Sequence, residues 1–401
     1  MSKIEYQEYD ECMVAYHEIS AKPIRHSKEI QIISIRTKKE SINKLTIPSE
    51  IKGKTVTSIN MRAVTGRIEE LIVSATVEHL SEGAFMDANV GKIVFEGNVN
   101  KIPESCFQNC DATEIIFTHL DKITEVGYKA FFKTKSLKKF VWPINCCYIP
   151  IECFGCSGIS EIHMPNVTQI YNGAFKGTPF LCEVDWPVGC ATIPAKCFSG
   201  SAITHINGIE NSVKTIRACA FYCTANLKEI KWPQNCSIIP NSCFCHSGIK
   251  KITIHPSIAR IDREAFAGTK NLKEFEWPLL CENVPSNCFS SSGIERITGI
   301  ENVRSIEPGA FHDLMNLREI IWPGAVWLCS SVLTGCNSLT RVKFMGERAR
   351  LCLTTLRGSN VKNGCLDFTE CDEVEVTECG QDEWGTLNVK AGFNTIIQIR
   401  L

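Results

Sequence analysis

Four residues in a short stretch could do chemistry. In WPQNCSIIPNSCFCHSGI (232–249), Cys236, Cys243, Cys245 and His246 are of the types that hold zinc or exchange electrons. The chain of 401 residues holds 23 cysteines, so whether these are a site or packing decides how the rest is read. A structural zinc centre wants a second ligand pair at matching spacing, and none follows. Cys153-Phe-Gly-Cys156 has the CxxC spacing but no strand-to-helix setting to lower a thiolate pKa. Cys365, Cys371 and Cys379, six and eight residues apart, make a weaker metal candidate. The rest of the catalytic repertoire is missing: no Gly-rich phosphate loop, no HExxH and no GxSxG.

The elements that carry these cysteines repeat. Trp-Pro recurs at Trp142, Trp186, Trp232, Trp277 and Trp322, at intervals of 44, 46, 45 and 45 residues. Two phenylalanine series interleave with it, one after Ala (Phe85, Phe131, Phe175, Phe221, Phe266, Phe311) and one after Cys (Phe107, Phe154, Phe198, Phe244, Phe289). Eleven landmarks stepping by 21 to 24 residues define a period of 22–23 with two alternating unit types. Periods in the twenties mark leucine-rich-repeat solenoids. Each unit opens with apolar residues at positions 1, 4 and 6 and polar ones between, as in Leu227-Lys-Glu-Ile-Lys-Trp232, the pattern of a strand with one buried face. Fourteen such openings, from residue 42 to residue 339, predict fourteen coils stacked into one parallel sheet.

Aligning the units on Phe answers the opening question. Eight residues before it, Cys146, Cys190, Cys236 and Cys281 alternate with Ile123, Val167, Val213, Ile258 and Val303, so Cys serves there as a small hydrophobe. Directly before Phe, Cys106, Cys153, Cys197, Cys243 and Cys288 alternate with alanines. Like positions recur every second coil, about 9–10 Å apart at a strand spacing of about 4.8 Å, too far for a disulfide. These nine cysteines are therefore packing. Cys245 and His246 fall in a slot that elsewhere holds Gly155-Cys156, Ser199-Gly200 or Ser290-Ser291, the variability of a turn.

Stretches such as ITIHPSIARIDREAFAGTKNL (252–272) and IHMPNVTQIYNGAFKGTPFL (162–181) resemble the BspA-like branch of the leucine-rich repeat proteins. The resemblance covers roughly residues 42–345. It implies a right-handed curved solenoid with one parallel concave sheet, used for binding and adhesion, and no enzyme activity. The expected organisation is an N-terminal cap (1–41), the solenoid (42–345) and a C-terminal cap (346–401), the last with a partner-docking module as its rival. EIQIISIRT (29–37) is the expected cap strand. After Trp322 the repeat decays, with Val326 in the Cys slot and Leu333-Thr334 in place of Cys-Phe.

Outward strand positions are where a ligand could bind. Position 3 alternates charge down the array, including Glu70, Lys92, Glu114 and Lys139. Position 5 carries four consecutive apolar residues, Ile72, Val94, Ile116 and Val141, an exposed stripe about 15 Å long at strand spacing. β-Propensity alone is the bland account of that stripe. These eight residues are the expected contact site, in a non-catalytic scaffold for a protein partner, with a glycan as second choice. No cofactor and no metal are expected. The alternatives are a cysteine-dependent metal or redox protein and a surface adhesin whose export signal lies outside this sequence.

Bulk properties narrow the partners. A formal net charge of −1 provides no global field toward nucleic acid or anionic membrane. The basic run Lys133–Lys139 is half strand opening with no aromatic stacking platform expected around it, so no nucleic acid is expected. The N-terminus has no secretory h-region, no run of 18 apolar residues occurs, and 23 is an odd number of thiols. Together these point to a reducing, cytoplasmic location without membrane insertion, with the cell surface as the alternative.

Overall fold

The computed structural model describes residues 4–19, 29–323, 326–328, 332–346, 348–352, 365–371, 373–379, 384–389 and 396–397. Among these residues it is a β-solenoid of about fourteen turns whose strands run parallel from coil to coil, with almost no helix. The chain divides into two compact units, residues 1–208 and 209–401.

In both units the coil has the same anatomy. A strand at the repeat opening forms one column, and a two-residue strand just before the Phe turn forms a second, as in Lys139–Val141 followed by Tyr148–Ile149. The apolar positions point inward: Leu137, Phe140 and Trp142 are buried while Lys139 and Val141 are exposed. The Phe residues stack face to face. In the first unit Phe85, Phe107, Phe131, Phe154, Phe175 and Phe198 follow one another at centroid distances of 5.2–6.0 Å. In the second unit Phe221, Phe244, Phe266, Phe289 and Phe311 do so at 5.4–6.1 Å. Each such pair is worth about 0.5–1.5 kcal/mol beyond its area burial.

The first unit begins with β1 (Glu5–Glu8) antiparallel to β2 (Cys12–Ile19), which in turn pairs antiparallel with β3 (Glu29–Ile47). Residues 29–37 therefore do pair as a strand. The opening at 42–47 is the distal part of that same strand, which lies parallel to Val64–Val73 in the register Lys44↔Glu70 and Thr46↔Ile72. In the second unit, parallel pairing continues past residue 345. Cys365–Glu370 pairs with Arg341–Met345, and Glu373–Cys379 pairs with Arg348–Cys352.

One expectation is corrected. The opening strands form a column of short sheets rather than one continuous sheet. A nine-stranded sheet ends at Glu114–Phe117, after which the first unit has only the pairs 139–141 with 161–163 and 183–185 with 205–207. The second unit pairs 229–231 with 251–253 and 274–276 with 296–298 before a four-stranded sheet starts at Glu319. Each break falls just before a Trp strand, where the inward side chain at position 6 steps up to an indole. The coil after the Trp strand, by contrast, is bonded to it, as by Trp186 N–H to the Asn207 carbonyl at 2.9 Å.

A second correction concerns the decaying unit. The Phe311 amide bonds to the Val332 carbonyl, as Phe289 does to Ala310, so Val332 and Leu333 take the Cys and Phe slots. Both are fully buried. The unit is one residue shorter than its predecessors, which displaces the slots from Leu333-Thr334.

Candidate functional site

The outward face of the first unit's opening strands is built by backbone register. Ile72 lies opposite Val94, and Val94 opposite Ile116; one step along, Glu70 lies opposite Lys92 and Lys92 opposite Glu114. The charged residues form a ladder. Lys44 reaches Glu70 at 3.1 Å, and Lys92 sits between Glu70 at 3.6 Å and Glu114 at 3.7 Å. Hydrogen bonding from Lys44, helped by Lys92, holds the Glu70 carboxyl below its usual range against the desolvation that opposes it. Exposed pairs of this kind fix strand register more than they stabilise.

The structure thus brings six of the eight expected residues together on three adjacent strands of one face. Ile72 and Val94 are half-buried, whereas Ile116 is 41% exposed. Val141, 60% exposed, lies beyond the sheet break, on a strand whose partner residue is His163. Lys139 is on that strand too and pairs with Glu161 rather than with the ladder. The stripe is therefore three in-register residues plus one across a break.

The cysteine slots are packing. All nine are buried. Desolvation lifts the thiols of Cys190, Cys236 and Cys281 to about 11 and those of Cys106, Cys153, Cys197, Cys243 and Cys288 well above the usual value, so all stay protonated. The protonated form also has a use. Cys190, Cys236 and Cys281 donate S–H to the carbonyls of Val167, Val213 and Ile258 in the preceding coil, at 3.5–3.6 Å. Among the described residues no group of three or more His, Cys, Asp or Glu is placed to hold a metal. Cys371 is buried; the side chains of Cys365 and Cys379 lie outside the described residues.

Cys245 and His246 do lie in a turn. Cys245 is 6% exposed, and its neighbour His246 holds a left-handed φ of 57°. The imidazole lies across Gly268 of the next coil, where a Cβ would meet Nδ1 at 2.3 Å. That coil needs glycine there both for space and for its own φ of +68°.

Sequence reasoning missed two surface features. In the second unit an open groove of about 720 Å³ runs along the break between 251–253 and 274–276, with Lys250, Lys251, Lys273 and Arg296 against Glu274 and Glu276. Its signal was the break itself, which the strand pattern does not encode. In the first unit aromatic rings do lie beside the basic run: Lys138 Nζ is 3.6 Å from the Phe180 ring centre, and Lys133 Nζ is 5.4 Å from that of Phe132. Phe180 arrives from a coil far along the sequence, beyond any local window.

The coil of 22–23 residues alternates Ala-Phe and Cys-Phe turns, and the sequence profile for the BspA type leucine rich repeat region (6 copies) matches residues 35–157, 78–205, 168–292 and 237–362. The chain belongs to the BspA-type leucine-rich repeat family. Solved structures share its fold at low identity. A leucine rich cell surface protein from Faecalibacterium prausnitzii is 19% identical, with a TM-score of 0.54 over 86% of this chain and 96% of that one. The pneumococcal vaccine antigen PcpA is 14% identical, with a TM-score of 0.57 over 86% and 94%. A leucine-rich repeat protein from Bacteroides ovatus is 17% identical, with a TM-score of 0.50 over 85% and 100%. No functionally curated protein matches the chain. Among the described residues, no helix is long and apolar enough to cross a membrane. The chain is a cysteine-rich leucine-rich repeat scaffold, of a family whose members are generally not enzymes.

Proposed function

We propose that this scaffold binds a protein partner through the outward face of its first opening strands. Ile72, Val94, Ile116 and Val141 are the apolar anchor, and Glu70, Lys92, Glu114 and Lys139 are the polar surround. The observation that carries the reading is the exposure of Ile116 and Val141 on a face whose other outward positions are mostly charged. Burying each of the two fully in a partner contributes about 1.5–3 kcal/mol. The ladder beside them is already ion-paired, so it loses little entropy on binding. No step of chemistry is required of any residue.

The test is cross-linked capture from the native host lysate with wild type and an Ile116→Glu/Val141→Glu double variant whose circular dichroism matches wild type. One protein captured by wild type and lost by the variant supports the site. Equal capture leaves the stripe as β-propensity.

An adhesin-like role at the cell surface is the second reading, and the observation behind it is the fold shared with a cell surface protein. Labelling intact host cells with a membrane-impermeant biotin reagent separates it from the cytoplasmic reading.

A further inference from the structure

Two consecutive coils of the second unit place four thiols at the same turn, Cys219 and Cys223 in one and Cys243 and Cys245 in the next. The geometric objection to disulfides does not apply here, because these slots adjoin in neighbouring coils instead of recurring two coils apart. The Cys223 amide donates to the Cys245 carbonyl at 2.8 Å, which sets the two backbones at the ladder spacing of about 4.8 Å. A disulfide needs Cα atoms about 4.4–6.8 Å apart, a reach that one such spacing allows and two do not. Access differs between the thiols. Cys243 is fully buried, Cys245 is 6% exposed, and Cys223 is half-buried at the surface. The rings of Tyr222 and His246 pack edge to face at 6.1 Å beside them.

We propose that Cys223 and Cys245 are an exchange-active dithiol that closes to a cross-coil disulfide on meeting a small disulfide of the oxidised-glutathione class. The Cys223 thiolate attacks one sulfur of the small disulfide and forms a mixed disulfide; the other half leaves as a thiolate and takes a proton from solvent. Cys245 then gives its proton to solvent and attacks the Cys223 sulfur, releasing the second small thiol. In sum, the protein dithiol loses two electrons and two protons, and one small disulfide becomes two small thiols. The order follows from burial: with Glu264 and the neighbouring thiols nearby, the Cys245 thiol is pushed up to about 11, so it resolves rather than attacks.

The full-length protein, treated with oxidised glutathione and then blocked with N-ethylmaleimide, is mapped by non-reducing peptide mass spectrometry. The expected result is a 223–245 link that survives Cys219→Ser, disappears in Cys223→Ser, and raises the unfolding temperature until dithiothreitol reverses it. Cys223→Ser changes a surface position, so a matching circular dichroism spectrum keeps the comparison valid. A Cys219–Cys223 link, a stable glutathione adduct on Cys223, or no link at all overturns the proposal.

Discussion

The indole Nε1 of Trp186 donates to the backbone carbonyl of Cys190 at 2.8 Å. The same bond joins Trp142 to Cys146, Trp232 to Cys236, Trp277 to Cys281 and Trp322 to Val326, at 2.8–3.1 Å. Meanwhile the residue-190 amide returns to the Pro187 carbonyl at 2.9 Å. Trp-Pro-x-x-Cys is therefore a closed turn whose buried carbonyl is satisfied by the one side chain large enough to fill the slot and still donate.

Removing the donor while keeping an aromatic side chain should expose that debt. Trp232→Phe leaves the Cys236 carbonyl without its indole partner in a dry interior, and a loss of about 1–3 kcal/mol is expected. Urea unfolding followed by far-ultraviolet circular dichroism measures it. An unchanged midpoint would mean that the bond is incidental to a packing slot.

In the regular coils the slot before Phe holds a small residue, and Cys243 and its alanine counterparts Ala220 and Ala265 are all fully buried. Cys243→Ala should cost less than about 1.5 kcal/mol, and Cys243→Leu, which overpacks the slot, about 1–3 kcal/mol or more. The ranking, read from thermal midpoints, separates a packing cysteine from a ligating one, for which both changes would be equally damaging.

Glu307 predicts a pH signature. Its carboxylate accepts from Asn283 Nδ2, the Ser286 amide and Ser286 Oγ, each at 2.9 Å. The Asn283 bond, opposed by desolvation and aided by Ser286, holds its pKa below the usual 4.5. A lowered folded-state pKa means the stabilisation is full above that usual value and is lost as pH falls through the folded value. Wild type should therefore weaken below pH 4.5. Glu307→Ala, less stable by about 1–2 kcal/mol at neutral pH, should lack this part of the decline. Parallel slopes in a pH series of thermal unfolding would contradict it.

The repeat, its period and the burial of nine cysteines were legible in the sequence because each is a one-dimensional pattern that recurs many times. Trp burial was legible for the same reason. Its hydrogen bond was not, since donor geometry follows from the turn and not from spacing. The breaks in the strand column were hidden because Ile254 and Trp277 look alike as apolar position-6 residues and differ only in bulk. The turn at Cys245 was legible from the variability of its slot, but the burial of Cys245 was not, since a variable slot says nothing of side-chain exposure. The stripe was read as four adjacent residues, and the break before Val141 separates one of them.

The central functional claim is that binding energy resides in the apolar pair at the stripe's exposed end. The measurement that tests it most directly is the affinity of the captured partner for Ile116→Ala, Val141→Ala and, as a control on the second unit's groove, Lys251→Ala. Each stripe variant should weaken binding about tenfold, equivalent to about 1.4 kcal/mol, with Lys251→Ala at wild-type affinity. Wild-type affinity in both stripe variants, with a loss at Lys251, would contradict the account and move the site to the groove.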